Sequence, residues 1–301
     1  MNKPFEKITV IGAGTLGAQI ALLAANAGYD VTIYDVREGA LGKTIDNLCS
    51  SIQEKGIQPM IPWEQVSLLQ KEIRGVTSLE EALKDAELVV ESVPEILEIK
   101  QNVFKELGQK ANPQTIFATN SSSMPISRME ESSGRPEKCL NIHFYNILEG
   151  MNMADVMGGT RTTQDVMDKG IAWVRSLGCI PLTVKKELLG FCFNRVWRSI
   201  KREGLWMWGN DCVDFKDVDR AWMTFTGMKM GPFGIMDGVG LDVVHAIEMV
   251  YYKESKDPKD KPPQALKEKI DRGELGVKSG EGFYSYPDPE FARADFLNPL
   301  L

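Results

Sequence analysis

Three glycines and one aspartate carry the first chemistry in this chain. Gly12, Gly14 and Gly17 stand in G-x-G-x-x-G spacing between an apolar run and a helical pattern, and Asp35 ends the next apolar run. The first glycine permits a tight turn, the second lets backbone approach a pyrophosphate, and the third allows close helix–strand packing. A helix beginning near Thr15 aims its unpaired N–H groups and positive dipole end at that pyrophosphate. Asp35, 18 residues past Gly17, stands where a carboxylate accepts hydrogen bonds from an adenosine ribose. Its charge repels a 2′-phosphate, so the pattern predicts NAD rather than NADP, a preference moderated by neighbouring Arg37. Strand, turn, helix, strand and terminal acid occur in the order this motif needs.

His143 closes the apolar run in CLNIHFYN. Strand ends on the carboxyl side of a doubly wound sheet face the ligand crevice. An imidazole there can take the proton of an alcohol while hydride leaves the carbon. Asp155, twelve residues on in MADVM, can fix the ring's tautomer from the adjacent strand. An isolated histidine in an apolar stretch equally suits a satisfied core residue, and the residues alone leave both readings open. The run ATNSSSMPIS, residues 118–127, offers Asn120 and its serines to a substrate hydroxyl or a nicotinamide carboxamide. A serine-rich turn that only caps a helix looks the same. ESVPE ends another strand candidate, with Glu91 or Glu95 toward the crevice.

These residues need a parallel α/β sheet to position them, and the first two-thirds of the chain supply its pattern. Strands are expected at Ile8–Ile11, Val31–Tyr34, Ile73–Thr77, Leu88–Ser92, Thr115–Ala118, Leu140–Phe144, Ala154–Met157 and Ile180–Val184. A long helical stretch from Glu38 to Gln70 is broken by Pro59 and Pro62. Ser78 and Glu81 form a capping-box signature, Pro94 opens another helix, and Met167–Leu177 is a helix ending at Gly178. After Val184 helical patterns dominate to about Ile270. Trp197, Trp206, Trp208 and Trp222 cluster there, as a helical core or a subunit interface requires. The fold class is α/β, with a dinucleotide-binding domain over residues 1–187 and an all-α domain over 188–301.

Composition narrows the function classes. A chain of 301 residues with 43% hydrophobic and 26% charged residues is ordinary for a globular protein. A net charge of −7 argues against a nucleic-acid partner. No apolar run approaches the ~20 residues of a membrane span, and MNKPFEKI enters a strand without a signal-peptide core. Five scattered cysteines suit reduced thiols in the cytoplasm. With only two histidines, a multi-histidine metal centre is not expected.

Seven motifs in order resemble the 3-hydroxyacyl-CoA dehydrogenase family from end to end. They are GAGTLG with Asp35, ESVPEILEIK, TNSSS, HFYN, GFCFNR, MGPFGIMDGVGLDV and GVKSGEGFYSY. The resemblance implies a Rossmann-type NAD domain and a helical C-terminal domain for substrate binding and homodimerisation, with a small hydroxyacyl or ketoacyl substrate and a place in fatty acid metabolism. It gives His143 the role of catalytic base, with Ser122 on the substrate hydroxyl and Asn194 on the substrate carbonyl. Thr15, Leu16, Glu95, Lys100 and Asn120 join the glycines and Asp35 as cofactor contacts. Asn146 of HFYN and Lys55 of the helical stretch join the substrate contacts, Lys55 as a CoA ligand.

Two departures from the family pattern stand out. The histidine's partner is a glutamate in the family, whereas the aligned residue here is Asp155, one methylene shorter. Either the strands sit closer or the dyad hydrogen bond is long. The segment NILEGMNMADVM also lacks the proline that usually follows H-F-F-N. Diketoreductase-like members acting on non-CoA substrates often diverge there, so a free β-keto acid or diketo ester is the alternative substrate. A non-catalytic NAD-binding relative is the reading from a different class.

Overall fold

Short, nearly continuous apolar and β-branched runs build a sheet that is buried on both faces. The computed structural model of the protein describes residues 3–54 and 59–298. Eight strands form one sheet: β1 (Lys7–Ile11), β2 (Asp30–Tyr34), β3 (Arg74–Val76), β4 (Leu88–Glu91), β5 (Ile116–Thr119), β6 (Cys139–Phe144), β7 (Met153–Gly158) and β8 (Ile180–Val184). Their order is β3-β2-β1-β4-β5-β6-β7-β8, the doubly wound arrangement extended by β7 and β8. All eight expected strands are present. The sheet is parallel except at one step, where β7 runs antiparallel to β6. A loop of eight residues joins these two strands, too short for the crossover that parallel pairing demands.

Helices α1 (Thr15–Asn26), α2 (Ala40–Glu54), α3 (Trp63–Glu72), α4 (Leu79–Leu83), α5 (Leu97–Lys110) and α6 (Gln164–Ser176) complete the first unit. The expected long helical stretch is thus two helices, α2 and α3, parted on either side of the two prolines. Ile8 and Val10 of β1, Leu88 and Val90 of β4, and Leu140, Ile142 and Phe144 of β6 share one core with α1 and α6. Ile11, Val89, Phe117 and Cys139 point the other way, toward Phe104 and Leu107 of α5. Period-two geometry therefore dictates that His143, between Ile142 and Phe144, projects from the α5 face of the sheet.

Two expected helix starts differ in detail. Ser78 caps α4 by accepting the Glu81 N–H at 3.3 Å, but the Glu81 carboxylate turns to Arg74 instead of closing the box. The helix expected to open at Pro94 begins at Leu97, because Glu91 and Glu95 hold residues 91–95 in a turn around Lys100.

The chain divides into units Met1–Phe193 and Asn194–Leu301. The pattern change read after residue 187 precedes this division because Phe191 and Cys192 still pack on the sheet. The second unit contains α7 (Phe193–Gly209, starting at the junction), α8 (Phe215–Thr226), α9 (Pro232–Val239), α10 (Leu241–Ser255) and α11 (Gln264–Asp271). Two of the C-terminal motifs bind each other there. Buried Asp237 accepts the N–H groups of Phe283 and Tyr284, both at 2.9 Å, and the Tyr286 hydroxyl. A Cβ on Gly282 would stand 2.2 Å from the Asp237 carboxylate, so this contact requires glycine. Asp219 likewise accepts from Phe233, Gly234 and Tyr284. Of the clustered tryptophans, Trp208 packs on Phe233 and Phe283 in the core, while Trp206 is half exposed.

Candidate active site

A groove of about 870 Å³ opens at the carboxyl ends of β1, β2 and β4. Gly12, Gly14, Thr15, Leu16, Asp35, Glu95, Lys100, Asn120 and Ser122 all line it. Gly12, at φ +101°, carries the chain through the turn; a Cβ there would meet the Ser92 carbonyl at 2.6 Å. Gly17 lies behind the groove, where a Cβ would fall 1.9 Å from the Gly12 carbonyl oxygen. Gly14 has open space at its Cβ position, as close approach by a ligand requires. No side chain caps the N-terminus of α1, and no acid stands in its first turn. These features fit the pyrophosphate of a dinucleotide.

Asp35 closes the ribose end. It accepts the Ala13 N–H at 3.0 Å and the backbone and Nε groups of Arg37, both at 3.0 Å. Burial raises its carboxyl, but the Arg37 and Ala13 hydrogen bonds outweigh this and hold it below its ordinary value. Arg37 itself is largely exposed.

Glu91, Glu95 and Lys100 form one charged knot beneath the groove. Lys100 is buried and reaches Glu91 at 2.8 Å and Glu95 at 3.2 Å. Glu91 is wholly buried and also accepts from Thr119 and the Val93 N–H. Glu95 takes the crevice position and receives the hydroxyls of Ser121 and Ser123. Its partial burial raises its carboxyl, yet Lys100 and the two serines bring it below the ordinary range. Among the described residues no group of acids, histidines and cysteines is arranged to hold a metal.

His143 and Asp155 are directly opposed in the antiparallel register of β6 and β7. Both are buried, and Nδ1 stands 3.4 Å from Oδ2. The shorter acid has left a long contact. Asn120 ties this pair to the groove: it lines the groove, and its Oδ1 accepts the Phe144 N–H at 2.8 Å.

The sequence reading overlooked what surrounds the pair. Tyr145 donates its hydroxyl to Asp155 Oδ2 at 2.6 Å, and the Cys192 N–H donates to Oδ1 at 3.1 Å. Phe191 stacks on the imidazole with centroids 5.2 Å apart. It does so from a left-handed backbone conformation, φ +49°, which is costly for a bulky residue and held by packing. The tyrosine in HFYN, where the family pattern has phenylalanine, was the available signal. Asn146 is exposed just beyond β6. Asn194 begins the second unit, at the second position of α7. Lys55 lies outside the described residues.

The 3-hydroxyacyl-CoA dehydrogenase NAD-binding-domain model matches residues 7–188, and the C-terminal-domain model of the same family matches 190–286. The chain belongs to the 3-hydroxyacyl-CoA dehydrogenase family. It is an NAD-dependent oxidoreductase acting on hydroxyacyl groups. A probable 3-hydroxybutyryl-CoA dehydrogenase of Deinococcus radiodurans is 32% identical over 93% of this chain and 100% of its own length. The 3-hydroxybutyryl-CoA dehydrogenase of Clostridioides difficile is 30% identical over 93% and 99%. A solved diketoreductase, described as catalysing reactions of dicarbonyl compounds, is 34% identical with a TM-score of 0.83, covering 95% of this chain and 100% of that one.

Proposed function

We propose that the chain interconverts a 3-hydroxyacyl-CoA and its 3-ketoacyl-CoA, with His143 as the acid–base group. The observation that carries this reading is the opposition of His143 and Asp155 beside a groove built for a dinucleotide. Bound NAD supplies the hydride acceptor or donor. Gly12, Gly14, Thr15, Leu16 and Asp35 hold its pyrophosphate and ribose, and Glu95, Lys100 and Asn120 serve its nicotinamide end. Asp155 faces Nδ1 of His143, which leaves Nε2 to take the substrate hydroxyl proton during oxidation and to return it during reduction. The family pattern further assigns Ser122 to the substrate hydroxyl, Asn194 to the substrate carbonyl, and Asn146 and Lys55 to the rest of the substrate.

A second reading places the same chemistry on a free β-keto acid or diketo ester. The likeness to the diketoreductase and the divergent segment NILEGMNMADVM support it. NADH oxidation with acetoacetyl-CoA, acetoacetate and a diketo ester decides between them. Strong preference for the thioester is the expected result; equal or greater activity on the free carbonyl compounds reverses the order.

The protein acts as a homodimer through its second unit and resides in the cytoplasm. Exposed Val243, Ile247 and Val250 share one face of α10, an apolar stripe suited to a second copy. All five cysteines are free thiols, as a reducing compartment requires. Among the described residues no helix is long and apolar enough to cross a membrane. Light scattering that returned a monomer mass at micromolar concentration would exclude the dimer.

A further inference from the structure

Tyr145 touches both members of the His143–Asp155 pair. Its hydroxyl donates to Asp155 Oδ2 at 2.6 Å, while His143 Nδ1 stands 3.4 Å from the same oxygen. Its ring meets the imidazole edge-on with centroids 4.5 Å apart and packs edge-on against Phe193 at 5.4 Å. The other carboxylate oxygen accepts the Cys192 N–H, so both oxygens of Asp155 are held from outside the pair.

Sheet geometry explains why such holding matters. Opposed residues on antiparallel strands have their backbone separation set by the ladder, which a side chain cannot shorten. An acid one methylene shorter than glutamate reaches the ring only at 3.4 Å, and its carboxylate plane is free to rotate unless other donors fix it. The shorter acid and the tyrosine of HFYN, where the family pattern has phenylalanine, match each other. The acid loses a methylene at 155, and the aromatic residue at 145 gains a hydroxyl that bonds to it.

We propose that Tyr145 is a positioning residue whose hydroxyl clamps the Asp155 carboxylate so that the shortened acid still orients His143. This inference rests on the acid–base role proposed above for His143. Tyr145 transfers no proton in the reaction; it fixes the plane of the group that selects the tautomer of the ring. A phenylalanine at this position keeps the edge-on packing and loses the hydroxyl that bonds Asp155.

Two measurements on the full-length, NAD-loaded protein test it. The first is nitrogen NMR of 15N-labelled histidine, in which the chain has two imidazoles, His143 and His245, the latter an internal control. Tyr145→Phe is expected to lower the share of the Nδ1-protonated neutral tautomer at His143 and leave His245 unchanged. The second is turnover with NADH and acetoacetyl-CoA. Tyr145→Phe is expected to lower kcat about tenfold, the rate equivalent of one ordinary hydrogen bond, without changing the KM for NADH. In an Asp155→Glu background the same change should cost less than about twofold, because the longer acid reaches the ring unaided. An unchanged tautomer share, or an equal loss in both backgrounds, overturns the clamp. Should Asp155→Glu not fold, the tautomer measurement decides alone. Full turnover by His143→Ala would instead overturn the acid–base reading, and the tautomer measurement would still judge the clamp.

Discussion

Lys100 and Glu91 meet at 2.8 Å with both side chains almost wholly out of water. The pair joins α5 to the end of β4, directly beneath the groove, and Glu95 completes it from the groove side. An ion pair this buried contributes little net stability when intact but is costly to break. Lys100→Met strands a carboxylate with no access to water and should destabilise the protein by about 3–5 kcal/mol. Chemical denaturation measures the loss. Binding of NADH, followed by its fluorescence, should weaken in parallel because the turn carrying Glu95 loses its anchor.

Removing the acid–base group separates chemistry from binding. His143→Ala is expected to lower kcat by about 100- to 10,000-fold, while NADH still binds because the groove glycines and Asp35 are untouched. Stopped-flow turnover beside an equilibrium titration of NADH gives both numbers. Near-normal turnover would remove His143 from the mechanism.

Asp35→Ser should shift cofactor choice. The carboxylate that repels a 2′-phosphate is gone, and Arg37, now without its partner, becomes available to that phosphate. The ratio of kcat/KM for NADH to that for NADPH is expected to fall at least about tenfold, roughly the value of one charge-assisted hydrogen bond. An unchanged ratio would mean the ribose lies elsewhere.

The pH dependence of stability should show the hand of Glu95. Lys100, Ser121 and Ser123 outweigh burial and hold its carboxyl below the ordinary value of 4.5. A carboxyl lowered in the folded state stabilises above its unfolded value and loses that contribution as pH falls through its folded value. Wild type should therefore exceed Glu95→Gln in Tm at neutral pH, and the two curves should converge below about pH 4. Curves that stayed parallel into acid would contradict this assignment.

In the second unit, Asp237→Ala removes the acceptor for two buried N–H groups and the Tyr286 hydroxyl. Each buried donor left unpaired costs about 1–3 kcal/mol, so a loss of about 3–5 kcal/mol is expected by denaturant titration. Burial raises the Asp237 carboxyl despite these bonds.

Much of the site was legible because its determinants are local. Glycine at 12, 14 and 17 answers to φ, to open space and to a neighbouring turn so close that a Cβ would fall under 2 Å from it, and these demands leave their mark within six residues. Short β-branched runs between helical patterns likewise marked every strand of the sheet and assigned His143 to a strand end. Motif order extended the reading to the helical unit, where MGPFGIMDGVGLDV and GVKSGEGFYSY turned out to bond through Asp237.

What the amino-acid order determined by itself was the dinucleotide fingerprint, the α/β pattern and the residue types able to move a proton. Tertiary structure alone decided which groups hold them. The short loop between β6 and β7 calls for an antiparallel pair, yet no spacing rule reveals the register that sets His143 directly opposite Asp155. None reveals that Tyr145 and Cys192 share the two oxygens of that aspartate, or that Lys100 is shut between two glutamates. Such contacts depend on where distant strands and turns come to rest, because a hydrogen bond is set by distance and angle in space, whereas sequence patterns record only neighbours along the chain.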